Sequence, residues 1–446
     1  AFGIEANGGY GIANVVMSNS SLAVDGVITI GAGSSVAMDY TSSMKFSGLT
    51  SLGTMAVDTT GFTSGTYKIF DYTGDVAGAM DYNELLAGVW NDNYVAVNDD
   101  LYITDQDNNT LYVNPDYSEY SCDGYIYGYN AFSSVADAVA GSGAETAEIV
   151  IAEGTYADSG TVVFTNSVNV NANNAAFGNA WSFGINSDDA NDFNMDTAAK
   201  FVVEGTLSTG AFYTEKNANV YLVLNGDLTT VGSFGAKLAT QMDVNGSVTV
   251  TPPANGAAQV LVYGTMNVTG TLDSTSGAMN AVMMIGYANY DTQYGKGGVL
   301  NVTGADASVT LRNTHNDNTP VIISALSSLN VNDGASFTVE RGGIENNGSV
   351  TIDNATVTLS SALNNYGTLS VTGTSVIDAD MVSSGAITVD SALLTTNSIA
   401  NSGNMTITWD STVTFSEFTN SGTITVDWTG YDTVGRLLLD CVDNSW

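Results

Sequence analysis

Gly348-Ser-Val-Thr-Ile352, Gly367-Thr-Leu-Ser-Val371, Gly385-Ala-Ile-Thr-Val389, Gly403-Asn-Met-Thr-Ile407 and Gly422-Thr-Ile-Thr-Val426 are five versions of one phrase. Their glycines stand 19, 18, 18 and 19 residues apart. Two residues after each comes an apolar one (Val350, Leu369, Ile387, Met405, Ile424), and two further on comes another (Ile352, Val371, Val389, Ile407, Val426). Alternation with period two marks a strand with one buried face. Recurrence at a fixed period marks a solenoid. A second alternating run follows each phrase, such as Val357/Leu359 or Val413/Phe415, and then a third apolar position, at Leu363, Ile399 and Phe418. One coil is therefore a few short strands separated by Gly, Asn, Ser and Asp corners, and stacking the coils sets like side chains in columns.

The corner has a column of its own. Two residues before the glycines stand Asn346, Asn365, Ser383, Asn401 and Asn420. Stacked amides can hydrogen-bond along such a ladder, and asparagine also tolerates the left-handed backbone that a corner can require. Both readings are structural. Upstream the pattern loosens, at Gly205-Thr-Leu, Gly226-Asp-Leu, Gly246-Ser-Val and Gly264-Thr-Met, with spacings of 21, 20 and 18. Between 270 and 340 it becomes irregular, around Gly298 and Asn332-Asp-Gly334, which predicts insertions that project as loops. Coils of about 18–21 residues over 145–430 predict roughly fifteen rungs, and at ~4.8 Å per rung a rod of about 70 Å.

Composition agrees with this. The 446 residues include 48 Gly and 4 Pro, and 12% are charged. Val, Thr, Ser, Asn, Ala and Gly dominate, as strands and tight turns require. Globular cores stop growing at about 250–300 residues, a bound that a stack escapes because each coil packs only on its neighbours. The 44% hydrophobic content, regularly spaced, argues against disorder. Acidic residues outnumber basic ones 46 to 9, for a net charge of −37. The cations are scattered, so nucleic acid and anionic membrane are poor partners. Such a surface suits solubility, divalent cations or salty surroundings. Cys122, Cys441 and His315 make no zinc set, and cysteine scarcity fits a secreted bacterial repeat protein. No run of about 18 apolar residues is present to span a membrane as a helix. The chain opens Ala1-Phe2-Gly3, which reads as a processed product or a piece of a longer one.

A longer repeat links the two ends. Residues 46–61 and 415–430 are identical at nine of sixteen positions, at a fixed offset of 369 and without a gap. The start of the chain thus reads as the end of a module that also closes at the C-terminus, which predicts either tandem modules or ends that stack head to tail. Four segments follow: a β-rich segment over 1–118, a Tyr-rich connector with a capping helix over 119–144, the solenoid over 145–430, and a strand or cap over 431–446. Within the first, a helix-like patch lies near Glu84-Leu-Leu-Ala87. Val95 to Ile103 and Thr110 to Val113 read as hairpin strands around Asp107-Asn-Asn109. In the connector, Phe132, Val135, Ala136 and Val139 share one helical face, suited to covering the open edge of the first coil.

From Gly128-Tyr-Asn-Ala-Phe-Ser-Ser-Val-Ala-Asp-Ala-Val139 to Ala147-Glu-Ile-Val-Ile-Ala-Glu-Gly-Thr-Tyr156, the chain resembles the opening of a right-handed parallel β-helix of the pectin-lyase-like kind. Its Asn-Ser-Gly-x-Ile-x-Val coils resemble the repeats of filamentous haemagglutinins and autotransporter passengers. The resemblance covers most of 125–430 and implies architecture more than activity, since the fold hosts adhesins, lyases and hydrolases alike. Polysaccharide hydrolases of the fold carry clustered aspartates, a Gly-His-Gly and an Arg-x-Lys. Here the Asp-Asp pairs are Asp99-Asp100 and Asp188-Asp189, His315 sits in Thr-His-Asn, and Arg341 precedes Gly-Gly, so the pattern does not carry over. Its lyases use calcium with basic residues, which nine scattered cations suit poorly. Paired carboxylates on adjacent rungs could still hydrolyse a glycoside.

Two stretches have the alternating oxygens of a calcium loop: Asp192, Asn194 and Asp196, and Asp105, Asp107 and Asn109. Both carry threonine at the position where such loops need glycine, so a polar loop and a hairpin turn compete with calcium binding. Tyr117, Tyr120, Tyr125, Tyr127 and Tyr129 form a candidate interface for a glycan or a protein, or else a packed cap. Cys122 and Cys441 lie near opposite ends of the expected rod, so they read as free thiols or as an intermolecular bridge. The expectation is a right-handed parallel β-solenoid with a short helical cap and a β-rich N-terminal segment. It is read as a non-catalytic extracellular structural protein, either a filament subunit assembling with itself head to tail or an adhesin stalk. The alternative is a carbohydrate-active enzyme on the same fold.

Overall fold

The computed structural model describes residues 2–4, 13–74, 82, 94–119, 121–157, 160–187, 192–254, 258–276, 282–287, 295–313, 320–427 and 438–441. The patch at 84–87, Tyr120, the pair Asp188-Asp189, His315 and most of 431–446 lie outside these. The chain is nearly all-β, 59% strand and 2% helix, with about 17 turns of parallel β-solenoid. It divides into two compact units, Ala1–Ser133 and Ser134–Trp446.

In the second unit the repeated phrase is the first strand of each coil. Ser349–Asp353, Thr368–Ser383, Ala386–Asn401, Asn404–Thr408 and Thr423–Asp427 pair in parallel, with Val350, Leu369, Ile387, Met405 and Ile424 in one register position. The first four of these are buried and Ile424 is 36% exposed. The second and third faces stack likewise, through Phe337 and Val357 and through Ile344, Leu363, Met381 and Ile399. Towards the N-terminal end the third-face column turns aromatic: Phe183 lies 5.0 Å from Phe212, which stacks 6.1 Å from Phe234.

Coil length varies as expected over 270–340, where the sequence predicts insertions, and also at Val168 to Phe201, where it does not. Val168 pairs with Phe201, Gln241 with Thr265, Thr265 with Val299 and Val299 with Ser328, so these coils run to 33, 24, 34 and 29 residues. The extra residues sit between strands while the pairing register persists, so 145–430 makes fewer turns than fifteen. Backbone pairing fixes where a coil must return and leaves the corner free to lengthen.

The capping helix is Val135–Gly141. Ser134 caps it, accepting from the Asp137 amide at 3.0 Å while its hydroxyl donates to the Asp137 carboxylate at 2.7 Å. Since the cap sets the start, Phe132 falls outside the helix, in the strand Ala131–Phe132, and the buried helical residues are Val135 and Ala138 rather than Val135, Ala136 and Val139. The helix packs on Val162–Phe164, a strand of the first coil of its unit.

The first unit holds three stacked coils. Its sheets run Phe2–Ile4, Val27–Ile30, Gly48–Ser51; Asn14–Met17, Ser35–Asp39, Thr54–Asp58; and Ser21–Ala23, Ser43–Phe46, Thr66–Tyr72. The hairpin that follows is Tyr94–Val97 with Asp100–Thr104, turning at Asn98-Asp99, where both residues have positive φ (52° and 64°). That is the two-residue turn whose twist suits paired strands. The turn expected at Asp107-Asn-Asn109 is instead an Asx turn, with the Asn109 amide on Asp107 Oδ1 at 3.1 Å, and Thr110–Val113 pairs in parallel with Ala131–Phe132. Asp100–Thr104 adds antiparallel to the free edge of Thr66–Tyr72.

The sequence match between the two ends is also a match of register. Ser35 pairs with Thr54 and Asn404 with Thr423; Met44 pairs with Phe70 and Val413 with Leu439. On these two faces the equivalent pairs are offset by the same 369 residues, while on the remaining face Gly48 pairs with Val27 but its equivalent Glu417 pairs with Ser398, two residues out of that offset. The last parallel coils of the two units thus share the register of two of their three faces.

Candidate functional site

Among the described residues, the densest charged cluster forms where the hairpin meets the last coil of the first unit. Lys68 and Asp71 lie on Thr66–Tyr72, Asp100 opens the neighbouring hairpin strand, and Glu119 comes from the connector. The Lys68 ammonium is 2.7 Å from Asp100, 3.6 Å from Asp71 and 3.8 Å from Glu119, and 5.4 Å above the Tyr102 ring. Asp71 also pairs with Lys45 at 2.9 Å. Asp100 is 3% exposed. Its Oδ1 accepts the Tyr72 amide at 2.8 Å, and Oδ2 accepts Lys68 and the Tyr102 hydroxyl, the latter at 3.3 Å. Carboxylate oxygens of Asp71, Asp100 and Glu119 lie within 4.8 Å of one another.

Burial alone would lower the Lys68 pKa, but the hydrogen bond and charge of Asp100 outweigh it, so lysine holds its proton above the usual range. Tyr102 is pushed up to about 12, first by burial. Tyr82, whose hydroxyl donates to the Asp99 carbonyl, is raised further, again by burial. Cys122 is half-buried, its thiol 2.8 Å from the Tyr125 carbonyl, and burial raises its pKa. A thiol held protonated is a poor nucleophile. The ammonium takes the central place that a metal ion would take among three carboxylates, and the cluster closes on itself.

The two candidate calcium stretches make the following bonds. Asp192 is 2.7 Å from Lys296, and Asn194 accepts the Asp196 amide at 3.0 Å. Asp105 accepts the Gly65 amide at 2.8 Å, and Asp107 holds both the amide and the side chain of Asn109. Tyr112 and Tyr125 stack at 4.0 Å. Tyr117 is half-buried, its pKa raised to about 12 by burial and then by Asp123. Tyr127 shares a 2.9 Å hydrogen bond with Ser133, and Tyr129 is half-buried. The four described tyrosines of that set are all half-buried.

In the corner column, Asn346 Nδ2 donates to Asn365 Oδ1 (2.7 Å), Asn365 Nδ2 to Ser383 Oγ (3.0 Å) and Asn401 Nδ2 to Asn420 Oδ1 (2.7 Å). None of the five residues has a positive φ. Replacing Asn365 by leucine strands buried donors and acceptors above and below it, an expected loss of about 1–3 kcal/mol readable by chemical denaturation.

Two polar arrays on the outer faces were not anticipated. Asn330 donates to Asn301, Asn301 to Asn267 and Asn267 to Asp243, at 2.8, 2.7 and 2.6 Å, and Tyr221 donates to Asp243 at 2.6 Å. Arg312 bridges Asp273 and Glu340 on neighbouring coils, in a cleft of about 320 Å³ shared with Thr275, Asn313 and Arg341. Their signal in the sequence is equal register, visible only once coil lengths are known.

No protein-family model, no curated protein and no solved structure matches this chain. Among the described residues, no helix is long and apolar enough to cross a membrane.

Proposed function

We propose that the chain is a non-catalytic, extracellular bacterial structural protein, a stalk built from solenoid modules. The observation that carries this reading is the related terminal coil of both units, alike in sequence at nine of sixteen positions and equal in register on two of its three faces. A module that closes the same way twice is a building unit, and a stack whose coils meet in one register is stiff along its axis. The lateral arrays tie coil to coil. A glycan or protein held by the stalk fits an adhesin.

A second structural reading, a filament subunit, is favoured by Ile424, exposed where its four equivalents are buried. A further coil from another copy would cover it. Sedimentation velocity over a concentration series separates the two. The stalk stays one species, whereas a filament subunit grows with concentration and stops growing in Ile424→Lys. The enzyme alternative rests on Asp71, Asp100 and Glu119. Turnover on a polysaccharide panel, lost in Glu119→Gln, would overturn the structural reading. The expected result is no turnover by either form, with and without calcium.

A further inference from the structure

The hairpin strand Asp100–Thr104 brings an amine and a carboxyl group into contact on the last coil of the first unit. Its pairing with Thr66–Tyr72 shifts register between Leu101 and Tyr102, an irregularity of the kind that re-aims a side chain. Next to the shift, the Asp100 carboxylate lies 2.7 Å from the Lys68 ammonium, and its side chain is 4% exposed. Its two oxygens are held differently. Oδ1 accepts the Tyr72 amide at 2.8 Å, whereas Oδ2 accepts Lys68 and, at 3.3 Å, the Tyr102 hydroxyl. Two further carboxylates face the same ammonium. Asp71, at 3.6 Å, is also paired with Lys45, and Glu119 lies at 3.8 Å. Two other lysine pairs lack this burial: the Glu215 side chain, facing Lys237, is 18% exposed, and that of Asp192, facing Lys296, is 90% exposed.

We propose that Lys68 and Asp100 condense after folding into a side-chain amide that bolts the hairpin to the coil. The reaction needs no co-reactant. One proton of the ammonium passes along the 2.7 Å hydrogen bond to Oδ2, leaving a neutral amine beside a neutral carboxyl group. Burial favours this exchange, because it disfavours the charged forms of both groups. The amine nitrogen attacks Cγ and the C–N bond forms. The electron pair displaced from the C=O bond settles on Oδ1, where the Tyr72 amide already donates. Nζ then yields a second proton to Glu119, which passes it to the Oδ2 hydroxyl. The Cγ–Oδ2 bond breaks, that oxygen leaves as water, and the carbonyl reforms at Oδ1. Both hydrogens of the water originate on the ammonium, the third stays on the amide, and Glu119 ends ionised as it began. In water, free amines and carboxylic acids favour separation. Two groups held in contact react as one molecule, with an effective concentration of about 10⁵ M or more. Condensation also removes two charges that are costly to bury. Until it closes, the pair is the ion pair described above. The inference concerns the first unit alone and stands apart from the stalk reading.

Intact-mass spectrometry of the purified full chain tests for the bond. The mass should fall below that of the sequence by one water molecule. A proteolytic map should join the peptide holding Lys68 to the one holding Asp100, with the chain uncut at Lys68. Asp100→Asn puts a carboxamide at the acceptor and should lose one ammonia instead, with the same two peptides joined. Lys68→Arg keeps the charge, removes the nucleophile and should restore the full mass. The ammonia loss tests the chemistry even where Lys68→Arg fails to fold. In newly synthesised chain followed by pulse labelling, Glu119→Gln should condense on the order of a hundredfold more slowly. A chain of full sequence mass, or a water loss that persists in Lys68→Arg, overturns the proposal. An unchanged rate in Glu119→Gln overturns the relay.

Discussion

Replacing Gly385 by alanine destabilises the coil stack by about 3 kcal/mol or more. A Cβ at Gly385 would lie 2.2 Å from the Gly367 carbonyl oxygen and 2.7 Å from the carbonyl carbon of Tyr366. Backbone is what it meets, so no side chain can rotate away. The same collision recurs along the column, with Gly367 against Gly348 at 2.1 Å, Gly403 against Gly385 at 2.0 Å and Gly422 against Gly403 at 2.1 Å. The glycine is demanded by close approach between coils, since none of these four has positive φ. Gly178→Ala is the control: nothing lies within 4 Å of the added atom, and the change should be neutral or slightly stabilising. Denaturant unfolding followed by circular dichroism measures both. A loss for Gly385→Ala no larger than for Gly178→Ala would mean that coils do not approach this closely.

The second large effect is at Lys68. Lys68→Met leaves Asp100 buried without its cation, an expected loss of about 3 kcal/mol for a buried pair, discounted because the lysine side chain is 27% exposed. Asp100→Asn in the same chain should recover part of it, and the double-mutant cycle isolates the pair. The first unit also acquires an alkaline limit. Lys68, Tyr82 and Tyr102 all have raised pKa values, so the folded state holds their protons more tightly than the unfolded chain. Their contribution is full below about pH 10, the ordinary tyrosine value, and declines as pH rises towards about 12, where Tyr102 titrates. Tyrosinate absorbance rising together with unfolding is the expected signature. Smooth ionisation near pH 10 with the fold intact would contradict the burial of these groups.

What could be read from sequence follows the range of each interaction. The Gly348 to Gly422 phrase carries its own period, so strand identity, buried face and corner column were legible from residues within a coil of one another. Hairpin placement was harder. Asn98-Asp99 and Asp107-Asn-Asn109 are both plausible polar turns, and pairing with Thr66–Tyr72, more than thirty residues back, decides between them. The Lys68 cluster was illegible for the same reason, joining residues 68, 71, 100 and 119 through a strand pairing that local alternation does not encode. Asp99-Asp100 stood out only as an acidic pair, and its buried member is an acceptor for lysine and for backbone. Helix extent turned on Ser134, a cap whose effect is to assign Phe132 to a strand.

Electron microscopy of the purified full chain, at rising concentration and with or without a calcium chelator, tests the central claim most directly. The account predicts separate particles at every concentration, each with a straight stacked segment of roughly 60 Å at ~4.8 Å per coil, unchanged by the chelator. Particles without such a segment, or fibres that lengthen with concentration, would contradict a stalk of closed modules.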